Sequence, residues 1–334
     1  MRRKFTKFLL IGTAIAMFTA CEKKEDITPK ESSSNQTEEQ KQNGGQLQDY
    51  PLPAIIQEGV IKAAFSISDT SKAYFSQGNL QYQASTNTWR FAPKQYERAG
   101  YANKKISPTY DGWIDLFGWG TSGWPTNGFE NPNRAYHPYD TSRKWSNYDL
   151  GCKGGLSGMT GDYANGDWGV YNAISNGGNQ PGMWRTPSKN EWMYLINSRP
   201  DAANKYGYAT INLGNEERTG LVLLPDEWEQ PSGVTFKSGE NSDDVTTLLN
   251  NYSLDEWRKL EANGAVFLPF AGLRSKLNVD LDSPGKRGLY WSSSIYDSSK
   301  GYLLRFDLNC VNPKESNYFY RYQGLAVRLI QDVK

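Results

Sequence analysis

The stretch MWRTPSKNEWMYLINSR, Met183–Arg199, decides the fold. Ser188 is followed three residues later by Glu191, which is the spacing of a capping box. In that arrangement the serine hydroxyl and the glutamate carboxylate each accept an N–H that the first helical turn leaves without a partner. Trp192, Leu195 and Ile196 then recur at helical spacing on one face. The stretch therefore predicts a helix entered at Ser188 and buried along an aromatic stripe, with Arg185 and Glu191 fixing loops to the core.

The same signal returns once. Ser253 and Glu256 form a second capping box, Trp257 and Leu260 share a face behind it, and Gly264 stands where a helix C-terminus favours glycine. Between and around these helices, apolar–polar alternation predicts short strands. They fall at Val60–Ile67, Ala73–Gln77, Leu80–Gln83, Thr88–Phe91, Tyr208–Asn212, Leu221–Leu224, Ala265–Leu268, Leu289–Ser293, Tyr302–Asp307, Asn317–Arg321 and Leu325–Ile330. The four residues Ala84-Ser85-Thr86-Asn87 suit a hairpin turn. Residues 111–172, with DGWIDLFGWGTSGW and GDYANGDWGVYN, are rich in glycine and lack periodicity, so they read as long ordered loops. No repeat of fixed period and no second linker interrupt residues 51–334, which read as one loop-rich α+β domain.

The chain has 334 residues, and its first fifty differ from the rest. Arg2, Arg3, Lys4 and Lys7 precede the apolar run Phe8–Phe18, the length of a signal-peptide core and too short to span a bilayer. Thr19-Ala20-Cys21 follows. A charged segment, an apolar segment and small residues before a cysteine resemble the lipobox of bacterial lipoproteins, with Phe18 where leucine is usual. That resemblance implies cleavage after residue 20 and a lipid on Cys21. Losing the four positive charges of residues 1–20 would turn the formal net charge from +1 to −3. A near-neutral chain without a basic stripe offers nothing to nucleic acid. Residues 22–50 contain one aromatic and many Ser, Gln, Glu, Lys and Gly, the composition of a solvated tether. Such a tether spans about 30 Å root-mean-square. The expected location is the cell envelope, lipid-anchored in the outer membrane and facing outward or toward a partner. With Cys21 lipidated, Cys152 and Cys310 remain; a disulfide between them and two separate buried thiols both fit.

Several chemistries are excluded by the residues themselves. His137 is the single histidine, so a two-histidine zinc site cannot form, and in RAYHPYD it reads as an ordinary loop residue. No GxSxG elbow surrounds a serine, and the cluster Trp291–Ser294 lies in an expected strand. GWGTSGW has neither the lysine nor the following helix of a phosphate cradle. Calcium could be held by Ser242-Asp243-Asp244 or Asp280-Leu281-Asp282, but their spacing matches no known calcium loop, which favours solvated loop carboxylates. The metal is therefore left unassigned, and no cofactor is expected.

Exposed aromatics are the remaining source of a site. Trp113, Trp119 and Trp124 lie in one Gly-rich loop with Asp111 and Asp115 near them. Sugar C–H faces stack on indoles while carboxylates bind hydroxyls, so these five residues are the expected ligand contacts. The competing reading is that the tryptophans plug the core of a domain short of regular structure.

WRTPSKNEWMYL resembles the WR-x-P-[ST]-x-x-E-W-x-x-L pattern of the formylglycine-generating-enzyme-like branch of the C-type-lectin-like fold. It is most similar to a paralogous domain of Bacteroidetes and Fibrobacter surface lipoproteins. Ala73–Glu97, Gly112–Gly123, Leu223–Trp228, Gly264–Arg274, Leu289–Asp297 and Tyr322–Asp332 agree in order. The resemblance implies a C-type-lectin-like α+β fold with two main helices, small antiparallel sheets, long loops and chain ends that approach each other. The generating enzymes use two neighbouring cysteines near the C-terminus, where this chain has only Cys310, so no oxidase activity is implied. Calcium-dependent lectins grip sugars with Glu-Pro-Asn or Gln-Pro-Asp and Trp-Asn-Asp. Here Gln180-Pro181-Gly182 and Trp291-Ser292-Ser293 stand instead, which implies direct binding without an ion. The expected function is non-enzymatic recognition of a glycan or protein. The alternatives are an assembly subunit of a surface complex and, behind it, a diverged hydrolase or oxidase.

Overall fold

Both capping boxes form in the computed structural model, which describes residues 52–125, 134–239, 250–281, 287–307, 310–312 and 317–334. Ser188 Oγ accepts from Glu191 N while Glu191 Oε2 accepts from Ser188 N at 2.6 Å. The helix Lys189–Met193 loosens into a π turn, Tyr194–Ser198, closed by Arg199 N donating to Tyr194 O. Trp192, Leu195 and Ile196 are buried, as their spacing predicts, and the Trp192 ring stacks on Phe75 at 5.9 Å. The second capped helix is Leu254–Ala262, with Trp257 and Leu260 buried. Gly264 follows at φ +89°, a left-handed conformation, and a Cβ there would collide with Ala63.

The strands make several small sheets, and the described residues form one unit of mixed α+β architecture. One four-stranded sheet runs Val266–Pro269, Glu217–Leu223, Tyr206–Asn212, Asn250–Ser253 in spatial order. Its last pairing is parallel, Ala209 opposite Asn250, whereas every other named ladder is antiparallel. A second sheet centres on Lys300–Asp307, flanked by Arg287–Ile295 on one edge and by Cys310–Asn312 and Tyr318–Tyr320 on the other. A third joins the start of the described chain to its end: Ile330–Asp332 pairs with Lys72–Phe75, which pairs with Phe65–Ser66. The expected hairpin forms as Leu80–Gln83 against Thr88–Phe91, with Asn87 in the left-handed region at φ +50°.

Two expectations need correction. The strand expected over Val60–Ile67 breaks in two, because Val60–Ile61 pairs with Ile56–Gln57 while Phe65–Ser66 pairs with Lys72–Phe75. The strand expected over Leu325–Ile330 is a crossing segment. Gly324, Leu325 and Ala326 each bridge a different partner, Arg274, Phe117 and Tyr290, before pairing resumes at Ile330. Residues 111–172 hold short 3₁₀ turns and the helix Trp168–Tyr171, and their apolar side chains Ile114, Leu116, Phe117 and Trp119 belong to the core.

Candidate ligand surface

Several polar groups of the fold-deciding stretch tie it to the core. Arg185 spans two carboxylates: Nη1 and Nη2 donate to Glu191 at 2.9 and 2.6 Å, and Nε and Nη2 to Asp332 at 3.1 and 2.6 Å. A planar guanidinium bridging a helix and the C-terminal strand is a rigid clamp. Trp184 is buried with its indole N–H on Gly177 O, and Thr186 N donates to the buried Asp167 at 2.7 Å. Pro187 O accepts from Ser293 N, and Lys189 N donates to Ser294 Oγ. The stretch is scaffold, and its one side chain directed at a surface group of interest is Lys189.

The five expected ligand contacts do not form one site. Trp119 is 0 % exposed, with its indole N–H on Ser292 O at 2.9 Å. Asp115 is 1 % exposed; its carboxylate accepts from Ala99 N at 2.6 Å and Asn103 Nδ2 at 2.8 Å. Burial raises the Asp115 pKa against the pull of those bonds. Both residues are structural, a correction with a plain cause: each polar atom has an internal partner, so burial leaves nothing unsatisfied. Trp113 is half-buried under the Arg90 guanidinium, 3.7 Å from the ring centre, and Arg90 is held by Gln81. Asp111 is exposed, its carbonyl taken by Gln83. Trp124 is half-buried, 5.9 Å from the Arg134 guanidinium. Among the described residues no ring contact joins Trp113, Trp119 and Trp124.

A different aromatic cluster is presented to solvent. Lys300 and Tyr302 lie on one face of their strand, opposite Tyr320 and Tyr318 in the ladder. Tyr296 closes over them from the turn, stacked on Tyr318 at 3.9 Å and edge-on to Tyr302 at 5.2 Å. Tyr322 extends the row, stacked on Tyr320 at 5.3 Å. Tyr296 and Tyr320 are 40 % and 39 % exposed, high values for side chains this large. The Lys300 ammonium rests over three rings, 4.4 Å from Tyr318, 5.3 Å from Tyr320 and 5.9 Å from Tyr296. Lys189 lies 4.6 Å from the Tyr302 ring.

The turn that carries Tyr296 is fixed. Asp297 Oδ1 accepts from Ser299 N and Oγ, both at 2.7 Å, and Arg321 N donates to Ser299 O. On the reverse face, Gly301 leaves room for Trp119: a Cβ on Gly301 would lie 2.9 Å from Trp119 Cδ1. Arg321, between two outward tyrosines, points inward and is fully buried. None of its three guanidinium nitrogens has a hydrogen-bond partner among the described residues. Burial lowers its pKa to about 10, opposed by Cys152, Asp149 and Asp297. The signal for this surface was in the sequence as Tyr318-Phe-Tyr-Arg-Tyr322, a period of two in which the polar-looking Arg321 occupies the inward position.

The other expected groups fall elsewhere. Cys152 is a free buried thiol that donates to Asp149 O, so the candidate bridge to Cys310 is not formed. Cys310 is backbone-paired to Asp307, and its side chain lies outside the described residues, as do Cys21 and the tether. His137 is stacked against Tyr139 at 4.7 Å, its backbone N–H on Asp140. Ser242-Asp243-Asp244 and Asp282 lie outside the described residues, and Asp280 faces Arg287 at 4.0 Å. Among the described residues no three His, Cys, Asp or Glu side chains gather around one point. A shallow open groove on the four-stranded sheet, lined by Thr210, Asn212, Glu217, Asn251, Tyr252 and Ser253, carries a single carboxylate. No family model, curated protein or solved structure matches the chain.

Proposed function

We propose that this chain is a lipid-anchored, non-enzymatic recognition protein of the cell envelope, with residues 51–334 folded as a C-type-lectin-like domain that binds a glycan. The fold reading draws support from the two capped helices, the small sheets and the pairing of Ile330–Asp332 with Lys72–Phe75, which brings the two ends of the domain together. The anchor rests on Cys21 and the residues before it, and the tether on residues 22–50. The observation that carries the binding role is the solvent-facing tyrosine cluster of Tyr296, Tyr302, Tyr318 and Tyr320. Flat aromatic faces held on a rigid ladder suit the C–H faces of sugar rings, and their hydroxyls can bond the sugar's own. This surface takes over the role expected of the Trp113–Trp124 loop.

The test is binding of the purified full-length chain to a broad glycan panel, with calcium and with chelator. Binding that Tyr320→Ala abolishes while the circular dichroism spectrum is unchanged supports the reading, and indifference to chelator supports direct contact without an ion. Absence of binding to every glycan would sink it. Release of the protein from membranes by Cys21→Ser is the expected outcome for the anchor.

A further inference from the structure

We infer that the tyrosine surface selects anionic sugars, those carrying a carboxylate or sulfate, and that the Lys300 ammonium is the selecting group. The inference rests on the glycan-binding reading above and deepens it. Lys300 makes no ion pair among the described residues, and its ammonium covers the faces of Tyr318, Tyr320 and Tyr296. Asp297 interacts with it through space, and the Asp297 Oδ1 is already occupied by both Ser299 donors.

Among the described residues, further positive groups lie around this surface. Lys189 stands beside Tyr302, Arg143 acts on Tyr322, and the buried Arg321 lies between Tyr320 and Tyr322 in the chain. Among the described residues nothing hydrogen-bonds the Arg321 guanidinium, and Asp149 and Asp297 act on it only through space. A charge away from water is weakly screened, so its field reaches the surface above it.

The position of the Lys300 ammonium makes the charge a gate. A neutral sugar that stacks on Tyr318 or Tyr320 must displace the ammonium from the rings and receives nothing in exchange. An anionic sugar draws the ammonium to its own charge, and the same movement bares the ring faces for stacking. An exposed cation–π contact and an exposed ion pair are of similar strength, so the exchange is close to balanced for an acid and unfavourable for a neutral sugar.

The experiment compares matched oligosaccharides that differ only at one position: carboxylate, the corresponding neutral alcohol, and sulfate. Titration calorimetry uses the full-length chain and the variants Lys300→Gln and Tyr320→Ala. The expected result is tighter binding of the acidic members by about three- to fivefold or more, weakening at high salt. Lys300→Gln should remove that preference and leave the neutral sugar bound as well as before or better, whereas Tyr320→Ala should lose all members. Relative affinity of the carboxylate and sulfate members tells which anion the surface takes. Equal binding of neutral and acidic sugars overturns the selection while the glycan reading stands. A preference that survives Lys300→Gln overturns the role of Lys300, and failure of every sugar overturns both readings, leaving an acidic protein segment as the occupant to test.

Discussion

Trp119 and Tyr320 lie on opposite sides of one backbone ladder. The indole packs beneath Gly301, and the phenol stands on the other face beside Lys300. Successive residues of a strand point to opposite faces, so neighbouring positions in the same strand serve a core and a surface at once. Residue type does not decide the side. Tyr290, one strand away, is fully buried because its hydroxyl donates to Pro269 O at 2.9 Å and accepts from Asn79. Tyr296 and Tyr320 are left outside. Trp119 and Tyr290 are buried with their polar atoms bonded inside, whereas Tyr320 stands on the outward face of its strand.

The contrast is broken most directly by truncating one member of each set. Trp119→Ala removes a fully buried indole and leaves Ser292 O without its donor. A loss of about 3–5 kcal/mol in unfolding free energy is expected, read from denaturant midpoints. Tyr320→Ala should change the unfolding free energy by less than about 1 kcal/mol, since surface substitutions away from the core are nearly neutral. Equal losses at the two positions would show that the tyrosine surface is itself part of the core.

That contrast also explains what the sequence could and could not convey. Capping boxes are local, and the helices at Ser188 and Ser253 were legible because Ser, Glu and the apolar spacing suffice. The hairpin Leu80–Gln83 with Thr88–Phe91 was legible for the same reason. The direction of Trp113, Trp119 and Trp124 was not, because an aperiodic glycine-rich segment carries no parity. Trp119 is buried through bonds to Ser292 and Arg321, residues about two hundred positions away. The strand around Tyr318 was legible, but not which of its faces is wet, because Arg321 is charged and yet points inward. The parallel strand Asn250–Ser253 was missed because it is short and its partner, Tyr206–Asn212, is remote.

pH sharpens the comparison, because carboxyl pKa values are raised on the buried side and lowered on the tyrosine side. Asp167 caps the helix Trp168–Tyr171 and accepts from Gly169 and Thr186, yet full burial pushes its pKa from 3.8 up to about 6. Since the folded value is raised, the native state holds a proton that the unfolded chain has released between about pH 4 and 6. Stability from this group is complete below that window and is lost as pH rises through it, by on the order of 3 kcal/mol. Asp115 and Glu261 shift the same way, also through burial. On the tyrosine side, partial desolvation of Asp297 is outweighed by its Ser299 bonds, and its pKa is lowered, so it acts in the opposite sense at more acid pH. Thermal unfolding of the wild type from pH 4 to 6.5 should show falling stability, and Asp167→Asn should flatten that slope whatever it does to the baseline. An unchanged slope in the variant would remove Asp167 from the account.

A loss smaller than that at Trp119 is expected at the residue that joins the two sides. Gly301 has no need of a left-handed backbone; it is glycine because the Trp119 indole occupies the space of a side chain. A Cβ there would lie 2.9 Å from Cδ1 and 3.0 Å from Nε1, too close for the ring to stay in place. Trp119 is bonded to Ser292 O and flanked by the Arg321 guanidinium at 5.6 Å, so it can yield only by lifting the strand that carries Lys300 and Tyr302. Gly301→Ala is expected to cost about 1–3 kcal/mol, the usual range for overpacking. The same displacement should loosen the contact of Lys300 with the tyrosine rings, so the variant should lose the proposed discrimination among sugars before it loses the fold. If instead Gly301→Ala lowers stability while the preference among sugars is intact, the tyrosine surface holds its shape without support from the core beneath it. The two faces of the ladder are then independent.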